Sequence, residues 1–169
     1  MIELIKTLED SRDEFIAAAQ SVPEALTKTK PGEGRWSVLD CVEHIVIAEG
    51  RFMNWLRNPL PGPAPPENKG KEVMLAQRLP DRTNKAQAPE ASHPTGGFAN
   101  LTEALDEFRT VRARTIQFAQ EKGTELYKIS AKHPFFGPVN GTELVGMIAA
   151  HGRRHAAQIR EIKEQVTIP

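Results

Sequence analysis

The chain has a single cysteine in 169 residues, Cys41, so it cannot close a disulfide within itself. That usage suits a reducing compartment, with the cytoplasm as the expected location. An excess of either charge is also lacking. The 22 lysines and arginines balance 22 aspartates and glutamates, which leaves no broad electrostatic footprint for nucleic acid or anionic lipid. No run approaches the ~20 consecutive apolar residues of a membrane span. The N-terminal segment interleaves Glu3, Lys6, Glu9 and Asp10 with Ile2, Ile5 and Leu8, so it contains no apolar stretch of the signal-peptide kind. Strand-like alternation is missing as well, apart from one short extended candidate at residues 127–130, too little for a sheet. The length is that of one domain, residues 1–169, large enough to bury a core without covalent staples.

What the chain does have is helical periodicity. Ile2, Ile5, Leu8, Phe15, Ile16 and Ala19 share one face of a first helix, which Val22-Pro23 ends because proline disfavours helix in the residue before it. After a glycine- and proline-containing loop at residues 27–35, Ser37 occupies an N-cap position. Val38, Cys41, His44, Ile45, Ala48, Phe52 and Trp55 then mark a second helix to about Arg57, with Trp36 placed to staple the loop onto it. Between residues 58 and 99, prolines 59, 61, 63, 65, 66, 80, 89 and 94 forbid a long regular element, though a turn or two of helix fits residues 71–79. A connection of that length joining two core helices reads as a crossover packing over one end of a bundle. Asn100 with Glu103 forms a capping box for a third helix ending near Lys122-Gly123. The arginines on its polar side, Arg109, Arg112 and Arg114, read as a solvated face. A further connection, residues 124–139, contains His133-Pro134-Phe135-Phe136-Gly137. Asn140 with Glu143 then caps a fourth helix over residues 142–163. The expected architecture is all-α, a four-helix bundle with a long proline-rich crossover between helices two and three.

The five histidines divide into two groups. His93 and His133 precede prolines in connections, whereas His44, His151 and His155 interrupt apolar stripes. A lone histidine on such a stripe is ordinarily a core residue with a hydrogen-bond partner, and H-x-x-x-H alone is a weak signal. Three are different, because three unsatisfied buried imidazoles would each need a polar partner. Imidazole is the commonest protein metal ligand, and i, i+4 spacing lets two rings meet one ion at ~2.0–2.1 Å. With His44 from another helix, the set is three nitrogens and an open fourth position, the composition of a catalytic zinc site. Gly152 stands where a zincin has its general-base glutamate, which removes the protease reading. A di-iron bundle needs Glu-x-x-His on two helices, and the one match, Glu90 to His93, lies in the crossover. Cys41, one turn before His44, reads as a core residue, with a fourth-ligand or nucleophile role as the alternative. Asp40 and Gln158 are candidates to orient the imidazoles, or else plain helix-boundary residues.

Trp36-Ser37 through Glu43-His44, residues 82–89, His133-Pro134 with Gly137, and His151-x-x-Arg154-His155-x-x-Gln158-Ile159 together resemble the DinB/YfiT-like superfamily, especially its DinB-like members. The resemblance covers nearly the whole chain, and its most specific part is His44 combined with the H-x-x-R-H helix. It implies a four-helix bundle holding a divalent metal, zinc or nickel, through His44, His151 and His155. Relatives so implied include S-transferases that use bacillithiol, mycothiol or glutathione, and a maleylpyruvate isomerase.

The expected function is therefore metal-dependent chemistry on a small-molecule substrate, with thiol S-transfer first and hydrolysis second. A low-molecular-weight thiol is the expected co-substrate, and Arg154 a candidate to pair with its carboxylate. No nucleic-acid or membrane partner is expected. A homodimer rests on the family resemblance, since no heptad seam is evident. No catalytic residue is assigned, because no general base stands beside the histidines. The contrary expectation is a non-enzymatic, stress-related bundle or dimer that the metal stabilises.

Overall fold

The computed structural model describes residues 1–83 and 87–167. In chain order the helices are α1 (Ile2–Gln20), α2 (Val38–Arg57), α3 (Lys69–Arg78), α4 (Leu101–Lys122) and α5 (Gly141–Val166). The four long ones form the bundle: α1 packs on α5 and α4, and α2 packs on the same two, so α1 and α2 face each other across the diagonal. Apolar stripes generate this arrangement. Leu8, Phe15, Ala18 and Ala19 of α1 are all buried, and Phe15 meets Phe108 of α4 with ring centroids 4.8 Å apart. Burial of a side chain of that size contributes roughly 1.5–3 kcal/mol.

Caps set the helix starts. Ser37 Oγ accepts from the Asp40 N–H at 3.1 Å while the Asp40 carboxylate accepts from the Ser37 N–H at 2.9 Å. Asn140 and Glu143 make the same reciprocal pair. At α4 the expected box is displaced. Asn100 accepts from the Glu103 N–H, but the Glu103 carboxylate reaches the N–H of Ala99.

A layer of polar side chains separates two apolar clusters in the core. Arg112 of α4 is fully buried there, its Nε and one terminal nitrogen donating to Glu49 of α2 at 2.8–3.1 Å. Its other terminal nitrogen donates to Ser11 Oγ at 2.7 Å and to the Leu8 carbonyl at 3.0 Å, and Thr115 completes the layer by donating to Glu49. Arg112 is thus not on the solvated face that its charge pattern predicts: a periodic stripe cannot show that one of its cations has a carboxylate waiting across the core.

The crossover departs from expectation in its path. It does not simply cap one end of the bundle. Its first part runs beside a β-hairpin, with the Leu60 N–H donating to the Ser130 carbonyl. Its helix α3, capped by Asn68, then lies against α5. Lys71 fastens the start of α3 to the buried Glu143 at 2.8 Å, and Arg154 donates to the Leu79 and Asp81 carbonyls at its end. Arg82 closes the run with a two-point contact to Glu161 at 2.7 and 2.9 Å. Residues 84–86, within the 82–89 stretch of the resemblance, lie outside the described residues.

The hairpin is the element sequence reading missed. Of the extended candidate at residues 127–130, Tyr127 and Lys128 end a 3-10 segment, Gly123–Lys128, and Ser130 opens the first strand. Strands β1 (Ser130–His133) and β2 (Gly137–Asn140) follow, antiparallel and paired from Ser130 with Asn140 to His133 with Gly137. A three-residue loop closed by Gly137 at φ 68° is a standard hairpin connection, and the spacing of Gly137 was the available signal.

Candidate metal centre

His44 sits on the second turn of α2, and His151 and His155 sit one turn apart on α5, which packs against α2. The three sequence candidates come together. The Nε2 atoms of His44 and His151 are 3.3 Å apart and those of His151 and His155 are 3.1 Å apart. One ring nitrogen from each histidine lies within 4.8 Å of the others. Two ligands bound to one ion at ~2.0–2.1 Å in tetrahedral geometry are about 3.3–3.4 Å apart, so the spacing suits a shared cation.

Hydrogen bonding explains the arrangement less well. His44 Nδ1 donates to the Ser92 carbonyl at 2.6 Å, so in the neutral ring Nε2 carries a bare lone pair. His151 Nε2 has a nitrogen neighbour on each side but at most one hydrogen to give. A cation facing all three lone pairs removes that conflict. His155 Nδ1 is sealed without a partner among the described residues, at a cost typically of ~1–3 kcal/mol for such a group. Burial lowers the pKa of all three histidines, and the neighbouring imidazoles add to the effect at His151 and His155. Neutral rings are the ligand form.

Aromatic walls surround the cluster. Trp36 lies 4.7 Å from the His44 ring and stacks at 23° to His155, centroids 6.2 Å apart. The residue expected only to staple a loop therefore covers two candidate ligands. Phe52 stands edge-on to His151 at 6.0 Å. Of the three histidines, His151 alone is partly exposed.

The crossover reaches the site from outside the helical periodicity. Ser92, in the 3-10 turn Glu90–Ser92, supplies the acceptor for His44. The preceding residue, Glu43, accepts from the Thr95 hydroxyl and N–H and from the Gly96 and Gly97 N–H groups, at 2.8–3.1 Å. Burial raises the Glu43 pKa, but those donors outweigh it and the carboxyl titrates below its usual range.

Other candidates go elsewhere. Asp40 is spent on the Ser37 cap, and Gln158 accepts from Arg82, so neither orients an imidazole. Cys41 is buried in the apolar core, where burial pushes its thiol pKa upward, away from the thiolate a metal takes. Arg154 holds crossover carbonyls. His93 is exposed and its Nε2 contacts the Ala88 carbonyl. Gly152 faces Arg112 and Ser11: a Cβ there would lie 3.5 Å from the guanidinium. A glutamate at 152 would thus point into the polar layer.

Comparisons with known proteins agree with this architecture. The chain is 25% identical over 137 residues to the protein YuaE of Bacillus subtilis strain 168, covering 81% of this chain and 83% of that one. Its fold matches the solved structure of YfiT from Bacillus subtilis, a four-helix bundle of unusual topology, with a TM-score of 0.63 over 96% of this chain and 85% of that one at 15% identity. The family model of the DinB superfamily matches residues 7–159, and the chain belongs to that superfamily.

Proposed function

We propose that this protein is a divalent-metal-dependent enzyme acting on a small molecule, with hydrolysis as its leading reaction. The observation that carries the reading is the convergence of three imidazoles, with His151 Nε2 3.3 Å from that of His44 and 3.1 Å from that of His155, where His151 keeps contact with solvent. A cation held there supplies Lewis acidity toward an incoming water or thiol. The chain's own part is to present lone pairs and exclude bulk water. Ser92 commits the Nδ1 hydrogen of His44, while Trp36 and Phe52 screen the rings. Three imidazoles suit zinc and nickel alike.

Hydrolysis moves ahead of thiol transfer for two reasons. YfiT, which shares the fold, is described as a probable metal-dependent hydrolase. Arg82 and Arg154, whose charges act on His155, are engaged with Glu161 and with the Leu79 and Asp81 carbonyls, so neither is set out as a clamp for the carboxylates of a low-molecular-weight thiol. Thiol transfer remains the second reading, favoured by the lack of a carboxylate base among the three clustered residues.

Metal analysis of the wild type and of His44→Ala and His155→Ala, followed by turnover with ester, amide and thiol–electrophile panels, tests the proposal. The expected result is about one divalent ion per chain, lost in both variants, and hydrolysis abolished by chelation. Full metal retention in both variants, or turnover that survives complete metal removal, would overturn it. Metal-induced stabilisation without turnover of any panel member would instead favour the non-enzymatic bundle.

A further inference from the structure

His133 precedes a proline in the connection before α5, and the three-nitrogen cluster does not include it. Its surroundings are aromatic. It ends β1, is only 8% exposed, and is ringed by four aromatic side chains. Phe136 lies 5.1 Å away, Phe52 and Phe135 lie 5.9 Å away, and Trp55 stands edge-on at 6.1 Å. Phe52 is also the ring that meets His151 at 6.0 Å, so a single side chain forms the wall between His133 and the partly exposed member of the cluster.

The hairpin turn assigns the protonation of this imidazole. The Phe135 N–H donates to His133 Nδ1 at 3.2 Å, which makes Nδ1 the acceptor and places the hydrogen of the neutral ring on Nε2. Burial keeps the ring neutral, with its pKa pushed down to about 4. Among the described residues Nε2–H meets no acceptor, and it is not among the sealed unpartnered atoms. A donor held in a fixed tautomer on an aromatic floor, left unused by the protein, suits an oxygen carried on a planar apolar group.

We propose that His133 and the rings of Phe52, Trp55 and Phe136 form a substrate subsite beside the histidine centre, where the His133 Nε2–H donates to a carboxylate or carbonyl oxygen of a planar, apolar small molecule. The subsite rests on the reading of His44, His151 and His155 as a metal-dependent reaction centre. It adds the class of molecule that the centre receives.

Benzoate is the probe, and cobalt(II)-loaded protein and zinc-loaded, nitrogen-15-labelled protein are the two samples. Long-range proton–nitrogen spectra of the zinc form are expected to show His133 as the Nε2–H tautomer, with that resonance shifting as benzoate is added. Benzoate titrated against the cobalt spectrum should bind wild type and His133→Gln within about threefold of each other, because the amide restores a donor. His133→Phe, which keeps the aromatic surface but has no donor, should bind about tenfold more weakly with unchanged cobalt content, as expected for one lost hydrogen bond to a charged acceptor. An Nδ1–H tautomer, unaltered benzoate affinity in His133→Phe, or no benzoate binding to the wild type would each overturn the subsite. Should His133→Phe fail to fold, the wild-type tautomer and its response to benzoate still decide. Failure of the wild type to take up cobalt or zinc would overturn the reaction centre as well, a result distinct from metal uptake without a His133 effect.

Discussion

The Nδ1–H of His44 donates to the carbonyl of Ser92, 48 positions later in the chain, at 2.6 Å. This bond joins a helix of the bundle to the crossover and directs Nε2 toward His151 and His155. Glu43, next to His44, reinforces it by gathering three backbone N–H groups of residues 95–97. The crossover is therefore part of the candidate metal centre, and two adjacent residues of α2 hold it there.

Loss of this grip should loosen the centre without unfolding the bundle. Glu43→Ala removes the carboxylate that accepts from residues 95–97 and should leave the helix intact. Weakened orientation of a metal-binding imidazole typically costs 10–100-fold in affinity. Competition with a coloured chelator should show a loss in that range, and hydrogen exchange should show faster exchange at residues 92–97. Unchanged affinity would assign the Glu43 contacts to loop structure alone.

The Glu49–Arg112 pair gives a stability prediction with two arms. Glu49→Ala leaves a fully buried guanidinium without its counter-charge and should cost about 3–5 kcal/mol in urea unfolding. The double variant Glu49→Leu, Arg112→Met removes both charges while keeping volume, and should recover most of that loss. Equal destabilisation of the two proteins would show that the layer acts through Ser11 and Thr115.

Acid should destabilise the metal-free protein from about pH 6.5 downward. The folded-state pKa values of His44, His133, His151 and His155 are all lowered, chiefly by burial, so the unfolded chain binds more protons in this range. Stability is then complete above the unfolded value and is lost as pH falls toward the folded one. For His133 the window runs from the ordinary 6.5 to about 4, which corresponds to a loss on the order of 3 kcal/mol. Unfolding curves at stepped pH should flatten by about one proton in His133→Phe, and an unchanged slope would contradict the assignment.

Close backbone approach fixes the first residue of α5. A Cβ on Gly141 would lie 2.6 Å from the Leu126 carbonyl oxygen and 3.0 Å from Ile129 Cβ. Gly141→Ala should therefore cost about 1–3 kcal/mol, the range for overpacking. Gly152→Ala meets its nearest neighbours at ordinary contact distance, 3.5 Å, and should be nearly neutral by the same thermal unfolding assay.

Four long helices, the caps at Ser37, Asn100 and Asn140, and the grouping of His44 with His151 and His155 are all legible in the sequence. Each rests on short-range regularity: a 3.6-residue period places side chains on one face, and a cap needs a partner only three residues away. The hairpin is less legible, because His133 and Gly137 give a turn signal weaker than helical periodicity. Only the tertiary structure decided which carbonyl orients His44, which carboxylate meets Arg112, that Trp36 covers the imidazoles, and that α3 lies along α5. Those partners are separated by tens of residues, and their selection depends on how the helices pack, to which local pattern is blind. The ring types and their spacing were written along the chain, whereas the tautomers, the walls and the path of the crossover came from packing.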